Sequence, residues 1–68
     1  MPVMKVVELL GYSEKSWDDA AQKIVDEAAK TVKNIRSIYV EDLSAKIKDN
    51  KIVEYRLNGK VTFEIKDK

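Results

Sequence analysis

Hydrophobic and polar residues alternate along the segment EYRLNGKVTFEIK, which occupies residues 54–66. A period of two residues indicates a β-strand with one face in a core. Fully extended, this strand would span roughly 43 Å at about 3.3 Å per residue. A compact chain of this length has a radius of gyration of about 11 Å and is roughly 28 Å across. The strand is therefore predicted to extend beyond its own domain and to contact a partner.

A second apolar segment lies at the start of the chain. Residues 3–10, VMKVVELL, are rich in β-branched side chains and are interrupted only by Lys5 and Glu8. This composition predicts a strand with both faces largely covered. Gly11 is expected to end it.

An apolar stripe with helical spacing follows the first strand. The stripe consists of Trp17, Ala20, Ala21, Ile24, Ala28, Val32 and Ile35. It predicts an amphipathic helix of about five turns, with Trp17 in the core. Either Ser13 or Ser16 could cap its N-terminus, and Ser16 would form a capping box with Asp19. Lys30, Lys33 and Asn34 suit its C-terminus.

Residues 36–47 form a second predicted strand in which the alternation changes phase. A β-bulge at Glu41-Asp42 would return its apolar residues to one face. Asn58-Gly59 is the strongest hairpin signal in the sequence, but a turn there would pair core-facing with solvent-facing residues. A turn at residues 49–51 gives consistent pairs instead: Lys46 with Glu54, Ala45 with Tyr55, Ile47 with Val53, Leu43 with Leu57, Ile38 with Val61 and Val40 with Gly59.

The order of elements is thus β-α-β-β in one domain of residues 1–68. The predicted fold class is α+β, with a three-stranded antiparallel sheet that has the third strand between the first and second. The helix covers one sheet face. The other face is left uncovered, and it carries Ser37, Tyr39, Ser44, Lys46, Arg56, Asn58, Lys60 and Thr62.

Composition narrows the possible functions. With no Cys and no His, the chain has no disulfide, no thiolate metal site and none of the commonest acid–base catalysts. A core this small usually needs additional stabilisation by disulfides, a metal or a partner subunit, and oligomerisation is the option that remains. The net charge of +1 offers no general attraction to nucleic acid or membrane. Without a signal peptide or a membrane-length apolar run, a cytoplasmic location is expected.

The chain resembles the dodecin family over nearly its whole length. The resemblance lies in a short first strand ending in glycine (KVVELLG), the helix SEKSWDDAAQKIVDEAAKTVKNI and a last strand reading EYRLNGKVTFEI. Dodecins form hollow dodecamers in which strongly curved sheets wrap around each helix. The resemblance implies a non-enzymatic homododecamer whose long strands contact neighbouring subunits and whose uncovered faces meet partners and a small-molecule ligand.

Most characterised dodecins bind flavin between a Trp at the start of the second strand and a Gln on the last strand. These positions fall on Ser37 and Arg56. A hydroxymethyl group cannot stack on a ring, and an arginine cannot accept a hydrogen bond. The chain therefore resembles the branch that lacks this Trp, with which calcium has been associated. Weakened affinity for riboflavin or flavin mononucleotide is expected.

Further candidate ligand residues lie on the uncovered face. Tyr39 could take over part of the stacking role or pack at an interface, and Lys46 lies on the same face. Arg56 and Lys60 form a small basic patch. This patch would either make salt bridges between subunits, with Glu41, Asp42, Glu54 or Glu64, or bind a phosphate. Glu41-Asp42 at the bulge is a candidate calcium or magnesium site, because these cations prefer oxygen ligands.

Overall fold

A computed structural model describes residues 3–65 of the chain. The elements are β1 (Val3–Ser13), α1 (Trp17–Ala28), β2 (Ile35–Lys48) and β3 (Lys51–Ile65). The strands form one antiparallel sheet in the order β1-β3-β2. The predicted fold class and the central position of the last strand are confirmed.

The sheet is longer than a compact domain of this size. The radius of gyration is 14.0 Å and the longest axis measures 53 Å, whereas a globule of this length would have a radius near 11 Å. The β1–β3 ladder ends at the pair Ser13–Tyr55. Beyond it, β2 and β3 continue as a two-stranded hairpin.

The hairpin turns where register predicted. Asp49 and Asn50 both have positive φ, 53° and 64°, which is the form that suits a two-residue hairpin loop. Asn58 and Gly59 lie inside β3. The predicted bulge is also present: the β2–β3 register shifts between Glu41 and Ser44, with Asp42 at φ 51°.

Most predicted strand pairs are confirmed: Ile38–Val61, Val40–Gly59, Ala45–Tyr55 and Lys46–Glu54. Two are wrong. Ile47 pairs with Ile52 instead of Val53, because the register shifts again between Lys46 and Ile47. Leu43 lies in the bulge, so it has no register partner in the β2–β3 ladder.

The helix is shorter than predicted. It ends at Ala28, and tighter turn bonds follow, with the Lys30 and Thr31 amides donating to the Glu27 and Ala28 carbonyls. Asn34, at φ 65°, redirects the chain into β2. Val32 and Ile35 still pack against the core. The apolar spacing therefore predicted correctly that Val32 and Ile35 contact the core, but it predicted wrongly that their backbone is helical.

Ser16 is the N-cap, and its hydroxyl accepts a hydrogen bond from the Asp19 amide at 2.9 Å. Ser13, the other candidate, is buried and donates to the Asp19 carboxylate at 2.6 Å. This bond lowers the pKa of Asp19 from its ordinary value, and the nearby positive charges of Lys23 and Lys15 act in the same direction against the opposing effect of desolvation. The two serines thus act together at the start of the helix.

The core lies where α1 crosses the sheet. Its buried members are Ala20, Ile24, Ala28, Leu57 and Val61. Trp17 packs at its margin, edge-to-face on Tyr55 with ring centroids 4.8 Å apart, and its indole N–H donates to the Ser44 carbonyl at 3.0 Å. The prediction that Trp17 belongs to the core rather than to a ligand site agrees with these contacts.

Two expectations for β1 are wrong. Gly11 does not end the strand, which continues to Ser13; it lets the helix approach, since a Cβ there would lie 2.5 Å from Ile24 Cγ1 and 2.8 Å from the Ala20 carbonyl oxygen. Nor are both faces covered within the chain. Met4, Val6, Leu10 and Tyr12 are all exposed, because α1 covers only the other face.

Candidate functional site

The open face of the sheet is defined by side chains that point away from α1. Paired residues in antiparallel strands share a face, so the β1 and β2 neighbours of each outward β3 residue can be assigned from the register. This face consists of Met4, Val6, Glu8, Leu10 and Tyr12 from β1; Glu54, Arg56, Asn58, Lys60, Thr62 and Glu64 from β3; and Ser37, Tyr39, Glu41, Ser44 and Lys46 from β2. We call it the open face.

At one end of the open face, Ser37 lies beside Thr62. Their hydroxyls share a hydrogen bond of 2.5 Å. Next to this pair, Val6, Tyr39, Lys60 and Thr62 line a shallow cavity of about 210 Å³. Tyr39 is 63% exposed, so its ring is available to a ligand or partner. The structure therefore brings an aromatic ring, an apolar wall and an ammonium group together beside position 37.

Toward the hairpin, a second cavity of about 410 Å³ is lined by Leu10, Tyr12, Lys46, Glu54 and Arg56. Arg56 donates to Glu54 through Nε at 2.8 Å. The other guanidinium nitrogens, on a side chain 47% exposed, are accessible at the cavity. Two predicted ligand residues, Lys46 and Arg56, thus line the same cavity.

The four predicted ligand residues form two groups rather than one site. Ser37 pairs with Thr62, and Arg56 lies six positions before Thr62 on β3. At about 3.3 Å per residue, the two groups are about 20 Å apart along the strand. Within one chain, Ser37 and Tyr39 lie at one end, and Lys46 and Arg56 at the other.

The open face also includes residues that the sequence reasoning missed. Leu10 and Tyr12 line the larger cavity and Val6 the smaller one. The signal was available, because an antiparallel β1–β3 ladder places the β1 side chains of one parity beside Arg56 and Thr62. The assumption that β1 was covered on both faces concealed it.

Both residues of the basic patch form ion pairs within the chain. Lys60 Nζ lies 3.5 Å from Glu41 Oε1, and Arg56 pairs with Glu54. The sequence had predicted such salt bridges between subunits. In this structure they are cross-strand or same-strand pairs on a partly exposed surface, where each contributes at most about 1 kcal/mol.

The acidic pair at the bulge, Glu41 and Asp42, forms only part of a cation-binding site. Glu41 faces Lys60, and Asp42 accepts a long hydrogen bond of 3.5 Å from the Asn58 amide nitrogen. Nowhere among residues 3–65 do three or more acidic side chains gather as a metal-binding group. A hard cation prefers six or more oxygen ligands, so two carboxylates would supply only part of its coordination shell.

The described residues thus define a class: a β-α-β-β protein with one sheet face covered by a helix and the other open, lined by two shallow cavities. No helix within the described range is long and apolar enough to cross a membrane. A model of the Dodecin family matches residues 3–66. The chain belongs to the dodecin family, whose members are binding and storage proteins.

Individual relatives agree with this assignment. The chain is 30% identical over 66 residues to the calcium dodecin of Mycobacterium tuberculosis, covering 97% of this chain and 93% of the relative. A dodecin variant from T. thermophilus superposes with a TM-score of 0.92 at 28% identity, covering 98% of this chain and all of that one.

The crystal structure of the M. tuberculosis calcium dodecin is described as that of a calcium-chelating antigen with a novel calcium-binding site. It superposes with a TM-score of 0.79 at 30% identity, covering 94% of this chain and 91% of that chain.

Proposed function

We propose that this chain is the subunit of a closed homododecamer that binds and stores a small ligand on its open faces. The observation that carries the proposal is the split of the candidate site into two groups about 20 Å apart along one strand. A stacked ring lies within about 4.5–7 Å of its platform, and a hydrogen bond spans about 3 Å. One ring system can therefore meet both groups only if they come from different subunits.

Flavin is the ligand suggested by the family, but the residues present do not fit it well. Ser37 offers no ring, and its hydroxyl is already bonded to Thr62. Arg56 supplies donors only and is held by Glu54. Tyr39 is the aromatic group nearest in sequence to position 37 on the open face. Flavin should therefore bind weakly, and Tyr39 would supply whatever stacking remains.

The test is a flavin titration of four proteins: wild type, Ser37→Trp, Arg56→Gln and the double variant. Restoring a platform should contribute about 2–3 kcal/mol from ring contact and apolar burial. That corresponds to roughly a 30- to 150-fold gain in affinity. Arg56→Gln should add a smaller gain, since it restores an acceptor. Quenching of flavin fluorescence provides the readout.

Two results would contradict this interpretation. Tight flavin binding by wild type would show that the platform is already present, and Tyr39→Ala would then identify it. No gain in a correctly assembled double variant would show that the ligand pocket differs from that of flavin-binding dodecins.

Storage of calcium is the second candidate function. It is favoured by the relative named calcium dodecin, which is 30% identical over nearly the whole chain. Symmetry could gather several copies of Glu41 and Asp42. Calorimetric titration of chelator-treated protein with calcium, compared with Asp42→Asn, tests it. Asn tolerates the left-handed backbone at position 42, so a loss of calcium binding would report the carboxylate; unchanged binding would exclude it as a ligand. Asp49→Asn at the hairpin turn is the matched control.

A further inference from the structure

The larger cavity of the open face has a charged side and an apolar side. Its volume is about 410 Å³, and the charged groups on its wall are Lys46, Glu54 and Arg56. Leu10 and Tyr12 form the rest of the wall, and these two side chains are 72% and 62% exposed. Ligand sites typically combine apolar walls with a few polar groups that fix orientation. This wall suits a ligand with an ionic group at one end and an apolar group at the other.

The cations of the open face differ in whether they already hold a carboxylate. Lys60, at the smaller cavity, lies 3.5 Å from Glu41 Oε1. Lys46, at the larger cavity, makes no ion pair with any residue in the range 3–65. It lies diagonally across the β2–β3 ladder from Arg56, and long side chains in this relation can reach each other. The unpaired positive charge of the open face is therefore at the larger cavity.

Arg56 uses only one of its donors within the chain. Its Nε donates to Glu54 Oε1 at 2.8 Å, and its two Nη atoms have no hydrogen-bond partner among residues 3–65. A carboxylate can accept two N–H groups of a guanidinium side by side. Two cations against Glu54 leave one positive charge at the cavity. A single carboxylate neutralises that charge, whereas a phosphate monoester would bring nearly two negative charges.

The apolar side of the cavity sets the rest of the ligand. Tyr12 is the register partner of Arg56 on β1, so an acid held by the guanidinium places its carbon skeleton beside the Tyr12 ring. Aromatic rings contact each other edge-to-face or offset-stacked. An apolar cavity of about 150 Å³ accepts benzene, so a cavity of about 410 Å³ has room for one or two fused rings and an acid group.

We propose that this cavity binds a small aromatic acid, with its carboxylate between Arg56 and Lys46 and its ring against Tyr12 and Leu10. Glu54 orients the guanidinium and also competes with the ligand for it, so it limits the affinity. The inference rests on the proposed ligand storage and specifies the class of ligand. Arg56 then has opposite effects on two ligands: it disfavours riboflavin, which needs an acceptor there, and it favours an acid.

Calorimetric titration with 2-naphthoate tests the proposal, with 2-naphthamide as a neutral probe that has the same rings. The amide should bind at least about tenfold more weakly, because it loses a charge-assisted pair. Arg56→Gln should lower 2-naphthoate affinity by a similar factor while it raises riboflavin affinity, and Lys46→Gln should lower it less, since lysine offers no bidentate fork. Glu54→Gln should raise 2-naphthoate affinity, because glutamine keeps an acceptor for Nε and removes the competing charge.

Lys48→Gln is the matched control. It removes the same charge from an exposed position two residues along β2 that is not part of the cavity wall. Screening in salt should keep its effect on affinity within about twofold. Light scattering on every sample reports assembly.

Three results would overturn the acid site: an assembled wild type that does not distinguish 2-naphthoate from 2-naphthamide, a Lys48→Gln loss equal to that of Lys46→Gln, or tighter binding of 2-naphthyl phosphate than of 2-naphthoate. Each of them leaves the proposed storage oligomer standing. The converse is also distinguishable, because all five wall residues come from one chain. A monomer that binds 2-naphthoate with the expected charge dependence would refute the oligomer and support the acid site.

Discussion

Gly11→Ala should destabilise the fold, because no space exists for a methyl group between β1 and α1. A Cβ at position 11 would lie 2.5 and 2.7 Å from Ile24 Cγ1 and Cδ1, and 2.8 Å from the Ala20 carbonyl oxygen. The isoleucine could change rotamer, but the carbonyl belongs to the helix backbone, so the helix itself must shift. Overpacking of this kind costs about 1–3 kcal/mol. Alanine also lowers the conformational entropy of the unfolded chain, which offsets about 0.4–1 kcal/mol of this destabilisation.

Gly59→Ala is the matched control for this prediction. Its Cβ would lie 2.9 Å from Ile38 Cδ1 and 3.0 Å from Ile24 Cδ1, both ends of flexible side chains. The net cost should therefore be smaller at position 59 than at position 11. In a domain of this size each 1 kcal/mol shifts the melting temperature by about 4–8 °C. Melting curves must be compared at one protein concentration, since oligomerisation contributes to stability.

Equal melting temperatures for the two glycine variants, or a Gly11→Ala protein as stable as wild type, would refute the reasoning. Either result would mean that α1 can move away from β1 without loss, and that the close approach seen at Gly11 is not needed for the core.

Two further predictions concern α1. Trp17→Ala should lower the free energy of unfolding by about 3–5 kcal/mol. Trp17→Phe should lower it less, because it keeps the ring contact with Tyr55 and loses only the hydrogen bond to the Ser44 carbonyl. A Trp17→Ala protein that melts like wild type but loses a ligand would place Trp17 in a binding site. Because the Ser13 hydroxyl lowers the pKa of Asp19, the folded carboxyl stays ionised below the unfolded value of about 3.9. The contribution of the Asp19 carboxylate to stability is therefore complete above that pH and is lost as pH falls through the lowered folded pKa. Acid unfolding of Ser13→Ala should begin at higher pH than that of wild type. An unchanged acid transition would contradict this prediction.

The sequence predicted those features of the fold that depend on side-chain period and register. Strand order, the turn at Asp49-Asn50 and the bulge at Asp42 all followed from keeping apolar residues on one face, since a shift of one residue would expose them all. The helix end was missed for a related reason. Val32 and Ile35 continue the apolar stripe of α1 and do contact the core, but they reach it from a turn and a strand. Periodicity reports which side chains are buried; it does not report the backbone that brings them there.

The candidate site was harder to predict, because its parts do not meet within one chain. Ser37 and Arg56 share the open face, and alternation correctly assigned both to it. Their separation along β3 follows from the pair Ser37–Thr62, which adjoins the correctly predicted pair Ile38–Val61. Tyr39→Ala should lower ligand affinity without changing assembly, because the Tyr39 ring is 63% exposed on the open face and is not part of the core. A smaller oligomer on light scattering would contradict this and place Tyr39 at a subunit contact.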